Sequence, residues 1–241
     1  MSAFSEANLE VFPTAQALTH HVAEWMTRMA RAKRGEFAVA LSGGTTPRML
    51  YRTLASYPFL GAFPWARAQW FWGDERFVPH DDPMSNYRMV CEAMLSRVPA
   101  SASNIHAIAT EGLTPADAAR RYERALKNHY GAERLNPARP LFDLVLLGLG
   151  TDGHTASLFP GSPALDEREH WTSVGELKSQ PRITLTYPAI ESSAQTAFLV
   201  EGPAKRDILG RLRGGAADLP AARLRPNGAL RIFADKAAAG T

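Results

Sequence analysis

Residues 141–161 read LFDLVLLGLGTDGHTASLFPG, from Leu141 to Gly161. An apolar run, Leu141 to Leu147 with the single Asp143 inside it, stops at Gly148. Glycines follow at 148, 150 and 153, set around Asp152 and His154, and Pro160-Gly161 closes the stretch. A run of this kind bounded by glycine predicts a strand buried on both faces, as in a parallel sheet. Such sheets place ligands at the carboxyl ends of their strands, where this loop lies. His154 is therefore expected on a tight turn at the best site position in the chain. The three glycines also satisfy the dinucleotide pattern G-x-G-x-x-G, but that pattern needs a helix directly after it. Pro160-Gly161 leaves hardly two turns, and no Asp or Glu about 20 residues on closes a clean second strand. A lone His in a glycine turn is by default structural. Asp152, Thr155 and Ser157 beside it argue for chemistry.

Working outward, Phe37 to Leu41 (FAVAL) reads as a central strand that runs into Ser42-Gly43-Gly44-Thr45-Thr46-Pro47 and then a helix to Ser56. Thr46 is expected to cap that helix, with Pro47 at its first position. Free amides on such a turn, together with the positive helix end, suit a phosphate. An ordinary glycine turn fits the same residues equally well. The Gly-Lys-Ser/Thr of a nucleotide loop is missing, so ATP is not implied.

Earlier in the chain, Leu9 to Phe12 reads as an edge strand and Thr14 to Arg34 as an amphipathic helix ended by Gly35. Gln69 to Trp72 is a strand that ends at Gly73-Asp74-Glu75-Arg76, charged residues whose position is explained if they face a cleft. Ser85 and Asn86 start a helix to about Arg97. Thr114 caps a helix over Pro115 to Tyr130, closed by Gly131. Ile105 to Ile108, Trp171 to Val174, Arg182 to Tyr187, Thr196 to Val200 and Leu230 to Phe233 read as strands. A helix runs from Ala204 to Arg213. Lys205 and Arg206 sit in its first turn, where the macrodipole disfavours cations, so a bound anion would account for them. Strands followed by helices throughout give one α/β domain over residues 1–241, a three-layer sandwich with a mostly parallel sheet.

The 241 residues are 45% hydrophobic and 21% charged, with net charge +3 and a pI near 9.2, an ordinary globular balance. The basic clusters at Arg28 to Arg34 and Lys205 to Arg213 lack interleaved aromatics, and no nucleic-acid partner is expected. The single Cys91 allows no intrachain disulfide and no C-x-x-C metal pair. Met1 to Phe12 carries no signal-peptide pattern and no run approaches a membrane span, so a cytoplasmic protein without a membrane partner is expected.

GLGTDGHTASLFPG, with SGGTTP upstream and WGDERFVP and SNYRM between, resembles the 6-phosphogluconolactonases of the pentose phosphate pathway. The matching segments run in order from about Phe37 to Lys205. The glucosamine-6-phosphate deaminases share the SGG, DE and DGH elements, but there the segment after DGH runs I-A-F-N-E-P. Thr155 to Pro160 differs, which favours the lactonases. The resemblance implies the sugar-phosphate isomerase/deaminase-like fold and hydrolysis of 6-phospho-D-glucono-1,5-lactone, with no metal or other cofactor. His154 is then the general base, since an ordinary imidazole pKa of ~6.5 suits proton transfer at neutral pH. Asp152 or Asp74 orients it. Amides of the Gly150 to His154 turn, or an Arg, meet the oxyanion. The resemblance tips Ser42, Gly43, Gly44 and Thr45 towards the sugar phosphate and puts Asp74 and Arg76 at the site. Arg76 and Arg182 are candidates for the lactone or the phosphate. Gly202-Pro203-Ala204-Lys205 matches the deaminases' phosphate-contacting Gly-x-x-Lys, which assigns Lys205 to the phosphate. The partner is thus a small phosphorylated lactone, and the choice between monomer and homodimer stays open. Two rival readings remain, a deaminase and a sugar-phosphate sensor. The sensor would need a helix-turn-helix, and only one helix precedes Phe37.

Overall fold

The computed structural model describes Phe4 and residues 7–241. Its strands in chain order are β1 (Asn8–Phe12), β2 (Phe37–Leu41), β3 (Ala68–Trp72), β4 (Asp74–Arg76), β5 (Ile105–His106), β6 (Leu144–Leu147), β7 (Thr172–Leu177), β8 (Gln180–Leu185), β9 (Gln195–Val200) and β10 (Ala229–Asp235). The helices are α1 (Ala15–Ala32), α2 (Thr45–Leu54), α3 (Phe59–Ala62), α4 (Asn86–Ala93), α5 (Pro115–Tyr130), α6 (Tyr187–Glu191), α7 (Arg206–Arg213) and α8 (Lys236–Ala239).

Seven strands form a parallel sheet in the order β1-β10-β9-β6-β2-β3-β5. Every residue of β2, β3 and β6 is buried, as strands covered on both faces require. The chain steps from β2 to β3 and β5 in one direction, then returns to β6 and steps through β9 to β10 in the other. Right-handed crossovers put the connecting helices of the two halves on opposite faces, which makes the three layers. Asp143, the one charge in the 141–147 run, sits at the entry of β6. Its carboxylate accepts from the Ala38 amide at 2.9 Å and pairs with Lys33.

One part of the architecture departs from the sequence reading. Asp74 to Arg76, at the end of the Gln69 to Trp72 strand, are themselves a strand, and the two strands around 171–187 do not join the parallel sheet. They form a separate antiparallel sheet, β4-β8-β7, with β7 and β8 a hairpin turning at Lys178-Ser179. Only Gly73 separates β3 from β4, so the chain passes directly from the large sheet into the small one. Alternation in the sequence marks a strand but not its partner.

Side chains lock the ends of the central strands. The Tyr51 hydroxyl of α2 accepts from the Ser42 amide at 2.9 Å and donates to the Ser42 carbonyl at 2.8 Å. Tyr122 of α5 does the same at Trp72, at 2.8 and 2.9 Å. Burial pushes both phenols up, so they stay protonated. The readings about a leader rest partly on residues 1–3, 5 and 6, which lie outside the described residues. Among the described residues no helix is long and apolar enough to cross a membrane.

Glu75 is the buried anchor of the small sheet. Its carboxylate accepts from the amides of Arg76, Asn86 and Tyr87 at 2.7–2.8 Å and from the Ser85 hydroxyl at 3.1 Å. Burial pushes its carboxyl up against the pull of those amides, and Asp74 beside it adds to the rise. The anion sits where the first amides of α4 have no helical partner, a favourable place for negative charge. Glu75→Ala strands these donors in a dry site and should cost about 3 kcal/mol, read as a lower urea midpoint.

Candidate active site

β2 and β6 lie side by side, but the chain leaves them in opposite directions, so their carboxyl ends open a crevice. Residues 42–47 follow β2 and residues 148–156 follow β6. Asp74 and Arg76 come from β4, Arg182 from β8, and Glu201 and Lys205 from the segment after β9. Together they line a cleft of about 250 Å³. Of the expected site residues, all but Asp152 line it, and Asp152 touches the lining His154.

The glycine turn shapes that pair. Asp152 Oδ1 lies 2.6 Å from His154 Nδ1 and accepts from the His154 amide at 3.1 Å. A Cβ on Gly150 would fall 2.1 Å from His154 Nδ1 and 2.6 Å from Asp152 Oδ1, so only glycine leaves room for the contact. Gly153 holds φ at +84°, the left-handed region glycine accepts without strain. Burial would raise the Asp152 carboxyl, but the bonds from the His154 amide and ring outweigh it and hold it below the usual carboxylate range. An ionised carboxylate only accepts, so Nδ1 carries a proton toward Asp152, and in the neutral ring the free lone pair falls on Nε2. The ring packs on Phe159 at 4.6 Å between centroids. Of the two Asp candidates, Asp152 makes the contact. Asp74 instead accepts from the Ser157 hydroxyl at 2.7 Å, and its backbone carbonyl takes Asn86 Nδ2 at 2.9 Å.

The amides of this turn are largely spent. Gly150 donates to the His154 carbonyl, Gly153 to the Gly150 carbonyl and His154 to Asp152. The arginines are not spent. Arg76 and Arg182 sit directly opposite each other in the β4–β8 ladder, a like-charge pairing that disfavours the sheet. Arg182 is 9% exposed. Its Nε has no partner, nor has Arg76 Nε, while Arg76 Nη1 donates to the Met84 carbonyl at 2.6 Å. Burial pulls the Arg182 guanidinium down, Asp74 opposes this and Arg76 reinforces it. Its guanidinium carbon stands 5.7 Å from the Phe159 ring centroid. Lys205 faces the same cleft, its ammonium pulled down by burial and supported by Asp152. Three cations, Arg76, Arg182 and Lys205, thus line one cleft, a distribution of charge that suits an anion.

Opposite these cations, α2 starts earlier than the sequence reading held. Thr45 is its first residue, Gly44 at φ +105° its cap and Pro47 its third position. Thr46 does not cap the helix. Its hydroxyl donates to Glu201 at 2.8 Å, which ties the loops after β2 and β9 together. The Ser42 amide is taken by Tyr51, and the amides of Gly43, Gly44 and Thr45 have no acceptor among the described residues. Open amides at a helix start are suited to an anion. Asn86 packs under this turn, its Oδ1 so close that a Cβ on Gly43 would fall 2.1 Å away. Sequence reasoning missed Glu201 and Ala156 in the lining; neither carries a motif of its own. Among the described residues no group of three or more His, Cys, Asp or Glu is arranged to hold a metal ion.

Residues 13–232 match the family model described as glucosamine-6-phosphate isomerases/6-phosphogluconolactonase. The chain is 42% identical to a 6-phosphogluconolactonase of Synechocystis over 87% of its own length and 86% of the relative's. The crystal structure of 6-phosphogluconolactonase from Thermotoga maritima superposes with a TM-score of 0.81 at 28% identity, covering 95% of this chain and all of that one. A monomeric glucosamine-6-phosphate deaminase superposes equally well, TM-score 0.83 at 21% identity over 97% and 99% of the two chains, which shows a shared fold alone.

Because its folded pKa is lowered, Asp152 contributes stability that is full above the ordinary carboxylate value of ~3.9 and fades as pH falls through the lower folded value. Urea unfolding of wild type and Asp152→Asn should therefore differ at pH 7, with the gap narrowing progressively as pH falls below ~3.9.

Proposed function

The chain belongs to the glucosamine-6-phosphate isomerase/6-phosphogluconolactonase family, and from that premise we propose that it hydrolyses 6-phospho-D-glucono-1,5-lactone to 6-phosphogluconate. The observation that carries this reading is an Asp152-oriented His154 lining one cleft with Arg76, Arg182, Lys205 and the open amides after β2. Its place is the oxidative pentose phosphate pathway in the cytoplasm.

Opening a lactone needs an activated water, a counter-charge for the tetrahedral oxyanion and a grip on the distal phosphate. His154 Nε2 takes a proton from water as the oxygen attacks the C1 carbonyl. Asp152 stabilises the imidazolium so formed and fixes its tautomer. Breaking the C1–O5 bond then returns the proton from Nε2 to O5, leaving the carboxylic acid and a free 5-hydroxyl. Because the turn amides are mostly consumed, the oxyanion falls to a guanidinium of Arg76 or Arg182. The amides of Gly43, Gly44 and Thr45, with Lys205 across the cleft, hold the phosphate. Asp74, bound to Ser157 and close to Arg182, balances the arginine pair. Ser42 shapes the cradle through its lock on Tyr51. No step calls for a metal, a nucleotide or a covalent intermediate.

The test is lactone generated in place and followed as 6-phosphogluconate release above the spontaneous blank, with glucosamine 6-phosphate run in parallel. Wild type should accelerate release and liberate no ammonia from the amino sugar. His154→Ala should keep the fold by circular dichroism and lose ~10²–10⁴-fold in kcat, the usual worth of a positioned base. Ammonia release with no lactonase activity would move the chain to the deaminases, and near-wild-type turnover in His154→Ala would remove the base assignment.

A further inference from the structure

Among the described residues three non-glycine residues have positive φ: Ala156 at 48°, Lys178 at 50° and Ser179 at 60°. Lys178 and Ser179 are the two-residue connection between β7 and β8, a hairpin type that demands positive φ at both positions. Ala156 is the first central residue of a second tight turn, closed by the antiparallel bridge between Thr155 and Leu158, where glycine is the unstrained choice for a positive φ. It sits in the turn from Thr155 to Leu158, where the Leu158 amide donates to the Thr155 carbonyl at 3.0 Å. The left-handed region strains any residue with a Cβ, and alanine has no polar group to offset the strain locally. The chain uses glycine at nine other positive-φ positions, so the cheaper residue is in its repertoire. Strain kept at a site wall asks what the side chain does there.

The conformation does not depend on the methyl. Thr155 Oγ1 donates to the Gly148 carbonyl at 2.9 Å, Ser157 Oγ donates to Asp74 at 2.7 Å, and the Ser157 amide donates to Thr184 Oγ1 at 3.2 Å. Both flanking residues are fully buried. The turn is thus fixed from either side, while Ala156 between them is only partly buried and lines the cleft beside Gly150, His154 and Arg182. Of the four apolar side chains in the lining, those of Pro47, Leu149 and Leu199 are buried, and only that of Ala156 is partly exposed. The geometry assigns the Ala156 methyl as the apolar wall of the substrate site, packed against the C–H face of the bound sugar. This rests on the lactonase reading for its ligand. It adds a binding contact that the sequence motifs did not single out.

Ala156→Gly isolates the methyl, because glycine adopts this φ freely and the flanking bonds keep the turn. Three readouts are compared with wild type: melting temperature, steady-state kinetics on 6-phosphogluconolactone, and calorimetric affinity for 6-phosphogluconate. The melting temperature should not fall. KM and the product Kd should each rise about fourfold, the worth of one methyl removed from water, with kcat unchanged. Unchanged KM and Kd would overturn the assignment, and so would a lower melting temperature, which would make the methyl a fold contact. Should wild type bind 6-phosphogluconate but not open the lactone, the lactonase reading falls while the Kd ratio still decides the wall. No product binding by wild type overturns both.

Discussion

Two short strands set the terms for everything else. β2 and β6 pair only through Val39 with Leu144 and Ala40 with Val145 before their chains part. Each strand is buried on both faces, so neither can shift without exposing apolar surface, and each ends in a glycine-rich segment. The gap between those ends is therefore a fixed feature of the sheet. It faces the start of α2 with its open amides on one side and the Asp152–His154 pair on the other. Tyr51, Tyr122 and Thr155 each bind backbone at the point where a strand leaves the sheet, which holds the loops to the same frame.

The second constraint is electrostatic. The small sheet sets Arg76 against Arg182 and buries Asp74 and Glu75 next to them. Glu75 is saturated by four hydrogen bonds and serves the start of α4. Asp74 is held by Ser157. Two guanidinium groups are thus held side by side at the cleft with their Nε atoms buried and unpaired, an arrangement that costs stability. On the proposed function, a phosphorylated, oxyanion-forming substrate is what supplies the missing negative charge. The site thus has a shape fixed by the large sheet and a charge deficit fixed by the small one.

Much of this was legible in the chain. Continuous apolar runs ending in glycine located β2 and β6, and Thr114 and Gly131 bounded α5, because these signals are local. The residues that line the cleft were legible where glycine spacing and charge at a strand's end carry a physical reason. What was hidden depended on distant partners. The antiparallel sheet needs knowledge of which strand pairs with Asp74 to Arg76, and period-two alternation is silent on that. Thr46 was read as a helix cap because its partner, Glu201, lies 155 residues away. Glu75 looked like one charge among three until its burial set it apart. Ala156 is an ordinary residue in sequence and becomes informative only through its backbone angle.

The central claim is that the cradle after β2 and the base after β6 act on one molecule, gripping its phosphate while opening its lactone. The direct measurement is kcat/KM of the wild-type protein on 6-phosphogluconolactone against the unphosphorylated glucono-1,5-lactone, each corrected for spontaneous hydrolysis. The account predicts that the phosphorylated lactone is favoured by ~10²-fold or more, since binding energy from a remote charged group is used at the reacting carbon. Equal values for the two lactones would contradict it, and the open amides and unpaired arginines would then need another occupant.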